Sequence, residues 1–290
     1  MWLCELIREP AVAGMFYPAD KNQLIAAIEK CFQDKAVGPG ALPERSSPPP
    51  RKGNIVGLIS PHAGYIYSGP VAAHGFLEQF KDGKPEFFVI IGPNHTGLGP
   101  GISVHPPGKW RTPLGDATLP DDIIEKIIKQ PYFRSDTSAH SREHSIEVQV
   151  PFLQYLYGED VAIVPIALKD QSKETVDRIA NVLGKILTDY DFCLIASSDL
   201  THFESQAAAM AKDSYVIENI KKLKPNNLLE VVNEKYISMC GPAPVASVIK
   251  LSKKFGVSHA KVLKYATSGD VTGNKAEVVA YLSAILTKEE

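Results

Sequence analysis

Apolar residues follow two alternating patterns along this chain. Short apolar runs rich in β-branched residues predict strands that are buried on both faces of a parallel sheet. Longer segments with apolar residues at every third or fourth position predict amphipathic helices. The predicted strands are residues 55–59, 86–91, 102–105, 117–119, 161–168, 192–196, 260–265 and 277–286. The predicted helices are residues 21–32, 70–80, 121–130, 143–157, 173–188, two within 206–236, and one from about 240 to 255. Strands that alternate with helices predict an α/β fold, namely a three-layer αβα sandwich with a largely parallel central sheet.

Prolines mark two of these helices and one loop. Pro70 suits the first turn of its helix, because the N–H that a proline lacks has no partner there. Pro151 falls inside the predicted helix 143–157, where a proline removes a hydrogen bond. Residues 38–52 contain five prolines and predict a surface loop, because proline cannot join the ladder of a sheet interior. Only one helix precedes this loop, so we interpret residues 1–290 as a single domain.

The composition narrows the class of protein. With 290 residues, 44% of them hydrophobic, the chain can bury a sizeable core. A formal net charge of −2 provides no bulk attraction to nucleic acids or anionic membranes. No apolar run approaches the roughly 20 residues that span a bilayer, and the first residues lack the pattern of a signal peptide. We therefore expect a soluble, cytoplasmic protein with no nucleic-acid or membrane partner; the oligomeric state stays open.

Three predicted strands are each followed by a histidine. His62 follows the first strand, His95 follows the second, and His202 follows the strand that ends at residue 196. The carboxyl ends of parallel strands meet at one edge of the sheet, which is where ligands bind. Imidazole is the commonest metal ligand, and convergent coordination needs side chains from separate segments. The pattern predicts a metal site at this edge.

Asp199 shares a turn with His202 and allows two interpretations. Its carboxylate could fix the ring tautomer of a histidine that moves a proton in catalysis. It could equally cap the segment that follows. Asp199 and His202 are therefore candidate catalytic residues.

The four cysteines show no paired short spacing, so neither a disulfide framework nor a Cys-x-x-Cys zinc site is indicated. Cys4, Cys31 and Cys193 are interpreted as buried thiols that behave as small hydrophobic residues. Cys240 precedes a Gly-Pro helix start, where backbone N–H groups and the helix dipole are expected to favour the thiolate. A thiolate is a metal ligand or a nucleophile. The alternative for Cys240 is again a buried small residue.

One further motif competes with this site. His140, Glu143 and His144 spell H-x-x-E-H, a zinc-protease pattern that needs both histidines on one face of a helix, with the glutamate as general base. The serines, the threonine and the aspartate around the motif are more typical of a helix entrance. We therefore rank this alternative below the site at the sheet edge.

Seven sequence blocks identify a family resemblance along essentially the whole chain. In order, the blocks are AGMFYP, PHAGYIYSG, GPNH, RTPLGD, EHSIEVQVPFLQ, SSDLTHF and CGPAPV. Together they resemble the Memo family, which is named for a mediator of cell motility. The resemblance implies a fold similar to the class III extradiol dioxygenases, in which two histidines and a glutamate hold a non-haem ferrous ion.

The resemblance also implies roles for individual residues. His62 and His95 fall on the two histidine ligands of those dioxygenases, and His202 falls on their acid–base histidine. Cys240 falls where they have the carboxylate ligand, and a thiolate shifts the preference toward softer ions such as copper(I) or zinc. The expected cofactor is thus a transition metal, with iron, copper and zinc as candidates. Glu143 and His144, in the EHSIE block, are expected to line the pocket or to support the metal ligands.

Two functions remain open on these grounds. The first is a metal- or redox-handling or peptide-binding protein that does not cleave aromatic rings. The alternative is a metal-dependent oxidoreductase that acts on a small aromatic substrate, with the candidate base His202 moving a proton. Eukaryotic members of the family are associated with phosphotyrosine peptides, which favours the first function, although this sequence has no evident arginine cluster for a phosphate. Fold alone does not decide between them.

Overall fold

The computed structural model describes residues 6–288, so the interpretation of Cys4 lies outside the described residues. The strands are β1 (Ile7–Arg8), β2 (Ile55–Ser60), β3 (Phe87–Pro93), β4 (Ile102–Val104), β5 (Gly108–Thr112), β6 (Gly115–Leu119), β7 (Phe133–Ser135), β8 (Ile163–Leu168), β9 (Phe192–Ser197), β10 (His202–Glu204), β11 (His259–Thr267) and β12 (Val278–Thr287). The α-helices are α1 (Lys21–Gln33), α2 (Tyr65–Lys81), α3 (Asp121–Ile128), α4 (Ser138–Ser141), α5 (Val150–Tyr157), α6 (Lys173–Ile186), α7 (Gln206–Lys221), α8 (Pro225–Glu234), α9 (Pro242–Lys254) and α10 (Ser268–Thr272). None of the described helices has both the length and the apolar character needed to cross a bilayer.

A nine-stranded sheet runs through the molecule in the order β10-β12-β2-β9-β3-β8-β4-β7, with β11 paired to β12. The four central strands, β2, β9, β3 and β8, are parallel neighbours. Antiparallel pairing of β12 with β2, and of β4 with β8, extends the sheet on both sides. A separate three-stranded sheet contains β1, β5 and β6. The α/β prediction is confirmed; parallel pairing is found among the four central strands and again between β4 and β7 at one edge.

Helices cover both faces of this centre. Every residue of β2, β3, β8 and β9 is buried, as expected for strands covered on two sides. A methyl group on Gly57 would lie 3.0 Å from Val248 of α9, whereas a methyl group on Gly75 of α2 would overlap the neighbouring Leu58. Because successive strand residues point to opposite faces, α9 and α2 cover opposite sides of β2. The three layers follow from this arrangement.

The structure exchanges the predicted positions of Pro70 and Pro151: Pro70 lies inside a helix, and Pro151 lies in the first turn of one. Helix α2 begins at Tyr65, directly after its N-cap Gly64, so Pro70 lies inside the helix and not in its first turn. The additional turn is anchored by the buried Tyr65, whose hydroxyl donates to the carbonyl oxygen of Val148 at 2.7 Å. Pro151, predicted inside a helix, lies in the first turn of α5, where its missing N–H costs nothing.

The predicted helix 143–157 is correspondingly wrong over its first residues. A 3₁₀ turn, Glu147–Gln149, leads into α5, and residues 143–146 are not helical. Their backbone is held by the Glu143 carboxylate, which accepts from the N–H groups of His144 and Ser145, both at 2.9 Å. A side chain that binds neighbouring backbone N–H groups favours a turn over a continuing helix.

The proline-rich residues 38–52 form no helix or strand, as predicted. Their end is fixed by Arg51, which pairs with Asp82 and Asp191 and donates to the carbonyl oxygen of Phe192 at 3.2 Å. Arg51 precedes β2, and Phe192 begins β9, so this anchor lies at the amino end of the central strands. The loop is therefore attached to the sheet edge opposite the histidines.

Two of the cysteines are the buried thiols that the sequence predicts. Cys31 in α1 and Cys193 in β9 are both buried and unpaired. Burial raises the pKa of each thiol to about 12. They are core residues.

Candidate metal centre

The carboxyl ends of three adjacent strands, β2, β9 and β3, build one edge of the sheet. His62 lies two residues past β2, Asp199 two residues past β9, and His95 two residues past β3. Their neighbouring positions bring the rings of His62 and His95 to a centroid separation of 5.2 Å. The sheet therefore assembles polar side chains from distant segments at the edge where α/β proteins bind ligands.

His144, in the segment before α5, adds a third imidazole. Its ring stacks on His95 at 4.6 Å and lies 5.3 Å from the ring of His62. One ring nitrogen from each of the three histidines lies within 4.8 Å of the other two. Within residues 6–288, this is the one cluster of three or more such side chains that meets this distance. Three imidazoles are a ligand set that zinc, copper and iron accept, so the cluster could hold a transition metal.

His62 is the most enclosed of the three candidate ligands, with 2% of its surface exposed. Its Nδ1 lies 2.8 Å from Ser197 Oγ, and its Nε2 lies 3.1 Å from Cys240 Sγ. Its backbone N–H donates to Asp199 at 2.8 Å. Burial, followed by the nearby His144 and His95, holds the pKa of His62 well below its usual range. The ring is therefore neutral at ordinary pH, which is the form that binds metal.

His95 is more exposed and is held by a buried carboxylate. Its Nδ1 lies 2.9 Å from Glu143, and its backbone N–H donates to the other oxygen of the same carboxylate. Burial alone would raise the pKa of Glu143. The hydrogen bond and charge of His95, together with the Ser145 N–H, outweigh burial and lower that pKa to about 2. With four N–H donors around it, Glu143 is an ionised group that positions His95.

Cys240 lies beside the cluster and does not belong to it. Its Sγ accepts from the backbone N–H of Asp199 at 3.1 Å and faces His62 Nε2. Burial, followed by the negative charge of Asp199, raises the pKa of the thiol. The expectation of a favoured thiolate is therefore wrong for the metal-free protein, because these two effects outweigh the start of α9. The role of Cys240 as third ligand stays a prediction.

Asp199 and His202 both face the same cavity as the cluster. Asp199 is 4% exposed, and burial raises its pKa to about 6 against the opposing effects of the His62 N–H and of His202. His202 Nδ1 lies 2.8 Å from the carbonyl oxygen of Ser238. A carbonyl only accepts, so Nδ1 carries a proton, and in the neutral form of the ring the lone pair is on Nε2. The catalytic roles of both residues stay predictions.

The cavity in front of the cluster has a volume of about 680 Å³, a size that suits a small organic molecule. Four aromatic side chains form much of its wall, and the described lining residues include no lysine or arginine. The aromatic and titratable lining residues are Phe16, Tyr67, Phe203, Tyr281, His62, His95, His144, His202, Asp199 and Glu277. Phe16 also contacts the His144 ring at 4.6 Å. The site thus combines candidate metal ligands with an aromatic pocket.

The two histidines of the H-x-x-E-H motif lie in different environments. His140, in the four-residue helix α4, is buried, with its ring 5.4 Å from His105 and 6.0 Å from Trp110. His144 lies in the cavity with the other two imidazoles. The motif therefore does not place both histidines on one face of a helix, and the zinc-protease alternative is not supported.

Two glycines permit the close approach of the segments that carry the site. A Cβ on Gly92 in β3 would lie 2.5 Å from Ser145 Oγ, next to His144. A Cβ on Gly241 would lie 2.7 Å from the carbonyl oxygen of Ser197. The loops of His144 and Cys240 can therefore approach the strand ends only because residues 92 and 241 have no side chain.

Comparison with known proteins identifies the family. A family model described as Memo-like protein matches residues 8–285. MEMO1 family proteins of Thermotoga sp. (strain RQ2) and Thermotoga maritima are 51% and 50% identical to this chain, over 96% of this chain and 99% of each relative. One from Methanobrevibacter smithii is 44% identical, over 97% of this chain and 99% of the relative. The fold is similar to that of an uncharacterised Escherichia coli K12 protein, with a TM-score of 0.50 and 14% identity, over 79% of this chain and 99% of the other. The family match spans every segment that builds the cavity, and the chain belongs to the Memo family.

Proposed function

We propose that this Memo family protein binds one transition metal ion at the sheet edge and serves in metal or redox handling. The observation that carries the proposal is the cluster of His62, His95 and His144, whose ring nitrogens lie within 4.8 Å of one another. The donor set fits the group, because three imidazoles are ligands that zinc, copper and iron accept. A metal bound here would polarise a molecule in the cavity or exchange an electron with it.

The surroundings of the cluster favour zinc or copper over the iron of a ring-cleaving dioxygenase. Oxygen-activating iron uses two histidines and a carboxylate. The carboxylate nearest His95 belongs to Glu143, and it is already occupied by four N–H donors. The donor beside His62 is the Cys240 sulfur at 3.1 Å, which is soft and suits copper(I) or zinc. We propose His62 and His95 as ligands, with His144 and Cys240 available to complete the set.

Metal stoichiometry and affinity test this proposal. We expect one zinc or copper(I) ion per chain in the parent, measured by elemental analysis after purification without added metal and by competition with a chelator. His62→Ala should abolish stoichiometric binding. Cys240→Ser should weaken copper(I) more than zinc, because a hydroxyl is a harder donor than a thiol. His259→Ala, which removes an exposed imidazole at the start of β11, is the control. Parent-like metal binding by His62→Ala would show that the site is elsewhere.

A second candidate is a metal-dependent oxidoreductase for a small aromatic substrate, favoured by the aromatic wall of the cavity and by His202. The Nε2 lone pair of His202 could take a proton from a substrate hydroxyl. We nevertheless expect no turnover of protocatechuate or simpler catechols after anaerobic loading with ferrous ion and addition of oxygen. Formation of the yellow ring-opened product, lost in His202→Ala, would make the enzyme the leading function.

A peptide ligand is less well supported than a small molecule. Among the described residues that line the cavity, none is a lysine or an arginine, so a phosphate would lack the charged donors that usually bind it. A neutral aromatic peptide side chain would instead contact the ring of Phe16. Calorimetric titration with a tyrosine peptide and with its phosphorylated form would compare the two affinities. We expect the phosphate not to increase the affinity.

A further inference from the structure

A buried hydrogen-bond chain lies behind the His62 ring, on the side away from the cavity. Ser197 Oγ lies 2.8 Å from His62 Nδ1, and Gln149 Nε2 lies 2.9 Å from the same oxygen. Ser197 Oγ also lies 2.6 Å from the carbonyl oxygen of Ser145, and Gln149 Nε2 lies 2.9 Å from that of Pro61. His62, Gln149 and Ser197 are each at most 2% exposed. The chain is closed to solvent, so each proton in it must have a partner within it.

The two carbonyl groups fix the direction of the first hydrogen bonds. A backbone carbonyl oxygen only accepts, so the Gln149 amide must direct its nitrogen at Pro61. The opposite amide orientation would place two acceptors together. The second N–H of the Gln149 amide then donates to Ser197 Oγ. The hydroxyl of Ser197 has one proton and donates it in a hydrogen bond to the carbonyl oxygen of Ser145, which can only accept.

The direction of the last hydrogen bond follows from this count. Ser197 Oγ has used its one donor and receives an N–H from Gln149, so it can only accept from His62. We infer that Ser197 and Gln149 are positioning residues that hold His62 in the Nδ1–H tautomer, with the Nε2 lone pair directed toward the site between the three histidines. The role in metal binding rests on the proposed function, whereas the tautomer is a property of the metal-free protein.

The tautomer matters because a neutral imidazole binds a metal only through its unprotonated nitrogen. A proton on Nε2 would point at Cys240 Sγ and would have to move before a metal could bind. In His95 the same ring nitrogen, Nδ1, is held by the ionised Glu143, which only accepts. Two unlike groups, a serine hydroxyl and a carboxylate, thus hold the same ring nitrogen, Nδ1, of His62 and His95. Support of this kind is typical of metal-binding histidines.

Nuclear magnetic resonance of the metal-free protein tests the inference. In a protein labelled with ¹⁵N in its histidine rings, two-bond ¹H–¹⁵N correlations at neutral pH distinguish a protonated ring nitrogen from an unprotonated one. We expect a protonated Nδ1 and an unprotonated Nε2 for His62, whose signals are assigned by their absence in His62→Gln. Ser197→Ala removes the acceptor of the Nδ1 proton, so signals of the Nε2–H tautomer should appear. Zinc affinity, measured by chelator competition, should fall about 10- to 100-fold.

A second variant and a matched control separate positioning from general loss of structure. Gln149→Leu leaves Ser145 O as acceptor of the Ser197 hydroxyl, so its effect should be smaller than that of Ser197→Ala. Ser252→Ala removes an equally buried hydroxyl in α9, away from the centre, and should change neither the tautomer nor zinc affinity. Thermal unfolding of each variant confirms that it is folded.

The possible outcomes distinguish this inference from the proposed function. An Nε2–H tautomer of His62 in the parent would overturn the inference, even if the protein binds zinc. A tautomer or a zinc affinity that Ser197→Ala leaves unchanged would overturn the positioning role. An Nδ1–H tautomer in a parent that binds no metal would instead leave the hydrogen-bond assignment standing and refute the metal function.

Discussion

Residues 140–147 separate two groups of polar side chains that use similar residue types for different ends. On the cavity side, Glu143 holds His95, and His144 completes the cluster of three histidines. On the other side, Glu147 pairs with Arg8, and the His140 ring packs on Trp110; we call Arg8, Trp110, His140 and Glu147 the inner cluster. Each group therefore has one histidine and one glutamate, and the two histidines, like the two glutamates, are four residues apart in the sequence.

The two groups differ in what their carboxylates bind: Glu147 binds groups of the core, whereas Glu143 binds a histidine of the cavity. Glu147 is fully buried and accepts from Arg8, from the backbone of residues 11 and 12, and from the Tyr17 hydroxyl at 2.5 Å. The Arg8 guanidinium stacks over Trp110 at 4.3 Å and donates to the carbonyl oxygens of His140 and Glu143. The inner cluster uses its two charged side chains, Arg8 and Glu147, to fix the segment. The cavity side uses that fixed segment to place the His144 imidazole in the cavity. One face of residues 140–147 therefore fixes the backbone, and the other face carries a candidate metal ligand.

The largest effect is expected from removing the charge that holds the inner cluster. Arg8→Met would leave the buried Glu147 carboxylate without its cation, and loss of one partner of a buried pair costs about 3–5 kcal/mol. The free energy of unfolding, measured with urea, should fall by that amount. The double variant Arg8→Met/Glu147→Leu should recover part of the loss, because no unpaired charge remains. A single variant as stable as the parent would show that the segment is held by other contacts.

The matching change on the cavity side should affect metal binding more than folding. Glu143→Gln replaces an acceptor by an amide that can accept on one side only, so the N–H groups of residues 95, 144 and 145 lose part of their support. We expect zinc affinity to fall about 10- to 100-fold, as for other groups that orient metal ligands. Glu125→Gln, an exposed change on α3, is the control. An unchanged affinity would mean that His95 is positioned without its carboxylate.

Acid should weaken the inner cluster through His140. Burial, followed by the positive charges of His105 and Arg8, lowers the pKa of His140 to about 3, from an ordinary value near 6.5. Between these values the unfolded chain binds a proton that the folded protein does not. The stability that the neutral His140 ring contributes is therefore fully present above about pH 6.5. It is lost as the pH falls, and the free energy of unfolding decreases by up to about 1.4 kcal/mol per pH unit.

His140→Phe keeps an aromatic ring in place and removes the titrating imidazole. The free energy of unfolding should then depend less steeply on pH, by the contribution of one proton. The measurement is urea unfolding of metal-free parent and variant between pH 4 and 7. Burial also lowers the pKa of His144, to about 4, so a slope of the same sign remains in the variant. Identical slopes in both proteins would contradict the assignment to His140.

The smallest effect is expected in a segment that touches neither group. Deleting residues 46–49 from the tip of the proline-rich loop keeps the Arg51 anchor and should change stability by less than about 1 kcal/mol, because loop closure depends weakly on length. Zinc affinity should stay the same. Arg51→Ala, which breaks the pairs with Asp82 and Asp191, should cost more than the deletion. A deletion that abolished zinc binding would place the loop over the cavity.

Local patterns were sufficient for the central strands and for the edge where they end, but not for the short strands β1, β5, β7 and β10. The apolar runs of β2, β3 and β9 are interpreted correctly because each is buried on both faces, and His62, His95 and Asp199 follow from where those runs stop. Neighbouring strands of a parallel sheet carry such residues to one edge whatever the remaining sequence is.

The third imidazole and its support depend on contacts that a local pattern does not contain. The spacing of apolar residues predicts a helix through His144, whereas Arg8, far away in the sequence, and the Glu143 carboxylate hold that residue in a turn. Ser197 and Gln149 were likewise missed, because one ends a buried strand and the other lies in a 3₁₀ turn next to a helix. Only the folded chain shows that Ser197 contacts the His62 ring and that Gln149 contacts Ser197.

Gly92 and Gly241 have a consequence for anyone who would randomise this protein or copy its centre into another scaffold. Alanine is usually the mildest replacement in a mutational library. At these two positions even its single methyl group would meet Ser145 Oγ or the carbonyl oxygen of Ser197 at less than 3 Å. We expect both glycines to tolerate as few replacements as His62 does, although neither offers an atom to a ligand. A transplanted centre would have to reproduce these two gaps as faithfully as its histidines.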